Sequence, residues 1–260
     1  MSFYNLKNAF KIIGENTWLT LKDVYDLKLS YGETTISDCI LLYLKKINNP
    51  KIIIWKTNQK DEAIFGTDWE WWIGSDKLGW VGYAVQAKKY HTENDRYNSF
   101  YHPVQNRQQW EVLQDHAKKW DLVPIYALYN YVLNNNFDAG IYTVLDMYSK
   151  EMFGITVTPL HNIISALSTK GCRNFKSIHS KLDTIPLYEL VVDTKIILEN
   201  QHNMRSRFFE NFKPIIHPKH PKRFNSITNS QILKLETKYE NTVSAKRVLI
   251  IDIGEEYEPK

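Results

Sequence analysis

Apolar positions recur with a helical period over about residues 21–47, where Ile36, Ile40, Leu44 and Ile47 stand three and four apart. A break near Tyr31 and Gly32 interrupts the pattern. Pro50 ends it, because the residue before a proline is pushed out of the helical region. Residues 51–55 are a short β-branched run that predicts a strand, and NQKDEA after it is turn-like. Next come GTDWEWWIG (66–74) and GYAVQAKKY (82–90), both rich in aromatic and β-branched residues and separated by the polar stretch SDKLG. A hairpin is the simplest arrangement.

The stretch HTENDRYNSFYHPVQN reads as a polar loop, and over 106–120 the spacing of Trp110, Leu113 and Ala117 predicts an amphipathic helix. VPIYALYNYV predicts a buried strand. From residue 138 the pattern is mainly helical, over 141–150, 158–169, 171–181 and 187–209. FKPIIHPKHPKRF (212–224) holds three prolines and must be a loop or arm, and KRVLIIDIG near the end is a strand pattern. Strands alternating with helices predict an α/β fold, a mixed sheet flanked by helices, followed by a mainly helical C-terminal extension. The expected division is a core over 1–135 and a helical region over 136–260, packed on the core.

A chain of 260 residues, 43% hydrophobic, buries a full core. It starts with no basic n-region and apolar h-region, and the most apolar window, VPIYALYNYVL, is too short to span a bilayer, so the expectation is a soluble, cytoplasmic protein away from membranes. Cys39 and Cys172 stand far apart, without cysteine or histidine at metal-ligand spacing, which argues against a zinc site or a disulfide framework. A net charge of +4 permits a polyanionic partner without requiring one.

Chemistry concentrates in the hairpin. On a strand, side chains alternate, so Asp68, Glu70 and Trp72 share one face. The same rule puts Ala84, Gln86 and Lys88 together on the next strand. If the strands pair, two carboxylates meet an amide and an ammonium. Phosphodiester hydrolysis needs a divalent ion, a positioned water and help for the departing oxygen. Magnesium accepts one or two carboxylates with a carbonyl oxygen and substrate phosphate, so Asp68 and Gln86 suit it. Lys88 can orient or deprotonate the attacking water and offset developing charge.

An aspartate on one strand and a (D/E/Q)-x-K on the next, with a helix before and a helix and strand after, resembles the PD-(D/E)xK nuclease superfamily of restriction endonuclease-like folds. The QAK form is similar to the Mrr-type branch. GTDWEWW with VQAKK also resembles a group of uncharacterised bacterial proteins suspected of antiviral defence, over roughly residues 20–135. The resemblance implies a metal-dependent endonuclease acting on DNA, with Mg2+ as cofactor and Mn2+ as a substitute. It also implies an acid on the first core helix that completes the metal site. Glu33 fits, and it shares a helical face with Ile36 and Ile40. Metal ligands are then Asp68, Gln86 and Glu33, with Glu70 as an accessory acid. Thr67 stands where the family's proline is usual, and Gln86 removes one negative ligand.

Lys89 follows the motif as a phosphate contact, and the arm offers Lys219, Lys222 and Arg223 for nucleic acid. Each has a plainer interpretation: a solvated edge for the acids, core packing for Trp69, Trp71, Trp72 and Trp80, a helix-dipole role for Glu33 and a solvated linker for the arm. Two further functions stay open, a nuclease-like module that binds nucleic acid or a partner protein without catalysis, and an RNA-directed nuclease. A homodimer and a regulatory or sensor protein are the expected protein partners.

Overall fold

Two helices lead the chain, α1 (Phe3–Asp26) and α2 (Glu33–Ile47). The computed structural model describes residues 3–56, 67–100, 103–104, 107–138, 149–200, 206–220 and 245–254. α1 begins well before residue 21, because Leu6, Phe10, Ile13 and Leu21 continue a buried stripe at helical spacing. α2 runs where expected and stops at Asn48, which takes a left-handed conformation (φ 48°) and donates its N–H to Lys45 O.

β1 (Ile52–Lys56), β2 (Thr67–Ser75) and β3 (Gly79–Lys89) follow, and β2 and β3 form the expected antiparallel hairpin. Gly79 closes its turn at φ 88°, a conformation that favours glycine. Two short strands, β4 (Pro103–Val104) and β5 (Arg107–Gln108), precede α3 (Gln109–Trp120), and β6 (Val123–Tyr129) then pairs parallel to β3. The helix, three strands, helix and strand that the sequence pattern predicts are therefore present in that order, with β4 and β5 added before α3.

Beyond residue 135 the chain adds both helices and strands. A 3-10 turn (Lys150–Gly154) leads into β7 (Ile155–Pro159), where sequence periodicity predicts the start of a helix. The ITVTP run alternates too briefly to stand out beside the helix it precedes, α4 (Leu160–Ser168). α5 (Phe175–His179), β8 (Ile185–Pro186), α6 (Leu187–Leu198) and β9 (Ala245–Asp252) complete the described elements. Most of the helix expected over 141–150, and the turn-like NQKDEA, lie outside the described residues.

The main sheet has seven strands in the order β1-β9-β2-β3-β6-β7-β8. β9 lies antiparallel to β1 and parallel to β2, so the last described strand is inserted between β1 and β2. No boundary near residue 135 divides this sheet. One face carries α2 and α6, tied by Ser37 to Trp69 and Tyr129 and by Thr194 to Tyr83. The other carries α3, which starts beside Gln86 and Lys88. Trp69, Trp71, Trp72 and Trp80 are all buried, which makes them packing residues of the hairpin. The protein is α/β, with a mixed sheet flanked by helices.

Candidate active site

Register sets the site. β2 pairs Trp69 with Val85, so Asp68 stands one step on, opposite Gln86; β9 pairs Thr67 with Ala245 and Trp69 with Arg247, so Lys246 stands beside Asp68 on the other side. Gln86 in turn is abreast of Tyr126 on β6. Lys246, Asp68, Gln86 and Tyr126 thus form one row across four strands. Lys88 lies two residues further along β3, past the first residue of β2, where the sheet opens into a cleft of about 280 Å³. Glu33, Thr34, Ser37, Asp68, Gln86, Ala87, Lys88, Gln109, Lys246 and Arg247 line it.

Asp68 is held on both oxygens. Its Oδ2 accepts from the Gln86 amide and from Ala87 N–H at 3.0 Å, and Oδ1 lies 3.4 Å from Lys246 Nζ. Glu33, the first residue of α2, accepts from Lys89 N–H at 3.0 Å. This bond fastens the helix start to the strand end that carries Lys88. Lys88 is only 4% exposed, and its ammonium has no hydrogen-bond or ion-pair partner among the described residues. A cation on so enclosed a side chain is stabilised when an anion arrives. The amide oxygen of Gln109 is likewise buried without a hydrogen-bond partner, as is the Tyr126 hydroxyl. Burial, then the Asp68 charge, push the Tyr126 phenol well above its ordinary range.

The expected residues do not all converge. Glu33, Asp68, Gln86 and Lys88 share the cleft, whereas Glu70 does not line it. Glu70 is 1% exposed and accepts from Trp72 Nε1 at 2.7 Å. One pleat deeper into the sheet, the same face is covered. Lys89 points its ammonium at Tyr31 O, 3.1 Å away, and is outside the cleft lining. The arm around Lys219 is pinned at the opposite end of β3 by the paired backbone bonds of Trp80 and His217. From Trp80 to Lys88 the strand rises roughly 26 Å at about 3.3 Å per residue, so Lys219 is remote from the cleft. Lys222 and Arg223 lie outside the described residues.

Three cleft residues escape a local reading of the sequence: Gln109, Lys246 and Arg247. Arg247 works on the opposite face from Lys246, donating to Asp38 at 2.8 Å and lying over the Trp69 ring at 5.5 Å. Partial burial raises the Asp38 carboxyl, but hydrogen bonds from Lys56 and Arg247 outweigh it and hold it below the usual range. The usable signal was alternation in KRVLIIDIG, which sends Lys246 and Arg247 to different faces.

As a metal site, the donors fit magnesium in kind: two carboxylates and an amide oxygen, all oxygen ligands in one cleft. A half-turn of the Gln86 amide would place its oxygen where its nitrogen now meets Asp68. The set is lean. Among the described residues no group of three His, Cys, Asp or Glu is placed to hold a metal. Among them, too, no helix is long and apolar enough to cross a membrane.

Fold and cleft together define the class, an α/β protein whose mixed sheet opens at one end onto an acid, amide and lysine cluster. The chain belongs to the family of unknown function DUF6615, which matches residues 6–256. No curated protein and no solved structure matches it.

Proposed function

We propose that the protein is a PD-(D/E)xK-type, metal-dependent endonuclease that hydrolyses phosphodiester bonds of DNA, an effector of bacterial antiviral defence or restriction in the cytoplasm. The observation that carries this reading is the meeting of Glu33, Asp68, Gln86 and Lys88, from one helix and two strands, in a single cleft where Lys88, a residue 4% exposed, has no hydrogen-bond or ion-pair partner among the described residues. Asp68, Glu33 and the Gln86 amide oxygen would hold magnesium or manganese, which when bound supplies Lewis-acid stabilisation of phosphate charge. Lys88 orients the attacking water and offsets charge on the phosphate oxygens. Glu33, through its bond to Lys89 N–H, keeps the end of β3 and hence Lys88 in place. Gln109 offers its amide to the substrate from the start of α3. Cutting both strands calls for a homodimer, and restraint of such an activity calls for a regulatory or sensor protein.

A second reading, a nuclease-like module that binds nucleic acid or a partner protein without cutting, is favoured by one observation. Both oxygens of Asp68 are already engaged, by Gln86, Ala87 and Lys246. The deciding assay incubates the protein and its Lys88→Ala variant with supercoiled plasmid, linear duplex, single-stranded DNA and RNA, each with Mg2+, Mn2+ or EDTA. Metal-dependent cleavage that vanishes in the variant supports the nuclease and identifies DNA or RNA as substrate. Cleavage undiminished in both Lys88→Ala and Asp68→Ala sinks it. No cleavage and no metal-dependent thermal stabilisation would favour the binding module.

A further inference from the structure

The cleft contains a charge that the proposed hydrolysis does not use. Lys246 Nζ sits 3.4 Å from Asp68 Oδ1, both side chains largely buried, and it comes from the strand inserted between β1 and β2. Its neighbour Arg247 serves the packing of α2, through Asp38 and Trp69. Lys246 faces the cleft instead. Arg247 is turned to Asp38, a carboxylate it shares with Lys56, and the remaining charged groups lining the cleft are Glu33 and Asp68 against Lys88 and Lys246. They sum to zero.

A neutral cleft is a poor host for a bare divalent ion, because affinity at oxygen sites follows the negative charge of the ligands. Gln86, standing opposite Asp68, adds none. A phosphodiester changes the sum. It brings one negative charge and oxygen ligands, gives Lys88 an anion, and offers Lys246 an alternative to Asp68 on a flexible four-carbon stem.

We propose that Lys246 is a built-in counter-cation for Asp68, so that a divalent ion and a nucleic-acid phosphate enter the cleft together and each strengthens the binding of the other. This rests on the nuclease reading of the same cleft. Lys246 is a positioning residue here: it sets when Asp68 becomes available as a ligand. Coupling between two ligands is reciprocal, so the effect is visible in metal affinity without any turnover.

The test is calorimetric titration of Mn2+ into the full chain, alone and with a phosphorothioate DNA duplex that keeps the phosphate charge. Wild type, Lys246→Gln and Lys246→Arg are compared, with thermal unfolding in EDTA to confirm that each variant folds. For wild type, the duplex is expected to tighten Mn2+ binding about tenfold or more, within the usual range of coupling. Lys246→Gln should bind Mn2+ about tenfold more tightly without duplex, and the duplex should then add little. Lys246→Arg, which keeps the charge, should restore weak binding. Mn2+ affinity that is the same with and without duplex, or unchanged in Lys246→Gln, overturns the proposal. If wild type cleaves ordinary duplex with metal while showing either result, only the counter-cation idea fails. If it neither binds duplex nor cleaves any substrate, the nuclease reading falls and takes this one with it.

Discussion

Two regions of one sheet bury polar groups in opposite ways. Where β6 runs out and β7 and β8 pair, Asn130, Thr156, Thr158 and His179 are all matched. Asn130 donates to Phe153 O at 2.8 Å and Thr156 Oγ1 at 3.0 Å and accepts from Tyr97 Oη at 2.6 Å. Thr156 meets His179 Nε2 at 2.8 Å, His179 Nδ1 meets Phe175 O at 2.9 Å, and Thr158 meets Thr184. Around the open end of β2 and β3, by contrast, the Gln109 amide oxygen and the Tyr126 hydroxyl are buried without hydrogen-bond partners, and the ammonium of Lys88, a residue only 4% exposed, has none among the described residues. Matched polar groups specify and rigidify a core. Unmatched ones cost stability and persist where a ligand completes them. The seam is therefore framework, and the cleft has the unmatched groups expected of the site proposed above, although both are made of ordinary polar residues.

The sharpest way to break this contrast is to exchange the two acids of β2. Asp68→Ala is expected to lower metal-dependent cleavage by about 10²–10⁴-fold, the range for loss of a positioned catalytic group, and Lys88→Ala should do the same. Glu70→Gln, which keeps an acceptor for Trp72 Nε1, should leave cleavage within about threefold, since Glu70 does not line the cleft. Plasmid cleavage rates for the three variants decide it, and a Glu70→Gln loss as deep as that of Asp68→Ala would return Glu70 to the site.

The seam makes its own prediction, through pH. Burial drives the His179 imidazole down from its ordinary value to about 3, with the Phe175 carbonyl bond opposing in part. A folded value below the unfolded one means stability is complete above about pH 6.5 and is lost as pH falls toward about 3. The loss should reach about 5 kcal/mol. Asp193 works in the other direction, raised to about 6 chiefly by burial, so its contribution is present at low pH and lost as pH rises through about 6. Urea unfolding of wild type against His179→Gln at pH 7, 5 and 4 isolates the histidine. Equal slopes for the two proteins would show that His179 is not held neutral by its surroundings.

A smaller effect tests whether Glu70 belongs to the framework. Trp72→Phe removes the indole N–H that Glu70 accepts and should cost about 1–3 kcal/mol in urea unfolding. At a temperature where the variant stays folded, its cleavage rate should match wild type.

How far the sequence foretold this division follows from which interactions are local. Periodicity in 66–90 predicted the β2–β3 hairpin, and alternation brought Asp68 and Gln86 together with Lys88 nearby. The helical stripe of α2 put Glu33 at the cleft for the same reason. Alternation also set Glu70 on that face, but a period of two carries no information on how deep along a strand the cover begins. Nor could it show that β9 enters between β1 and β2, because KRVLIIDIG reads as a strand wherever it pairs. Lys246 was out of reach for that reason alone. The seam was legible only as apolar and helical stretches, since its side-chain bonds join residues such as Tyr97, Asn130 and His179 that share no local period.

The finest test of the contrast changes one atom of the row Lys246, Asp68, Gln86. Gln86→Glu replaces the amide that now donates to Asp68 with a second carboxylate beside it. Without metal, two like charges face each other and the bond is lost, so the protein should unfold about 1 kcal/mol more easily in EDTA. With metal, the added negative ligand should tighten Mn2+ binding about tenfold, following ligand charge. The two signs must be opposite if the row is a metal site, and thermal unfolding with EDTA and with Mn2+ reads both. Destabilisation that Mn2+ does not reverse would mean that Gln86 is matched framework like Asn130, and that the line between seam and cleft runs closer to Lys88 than to Asp68.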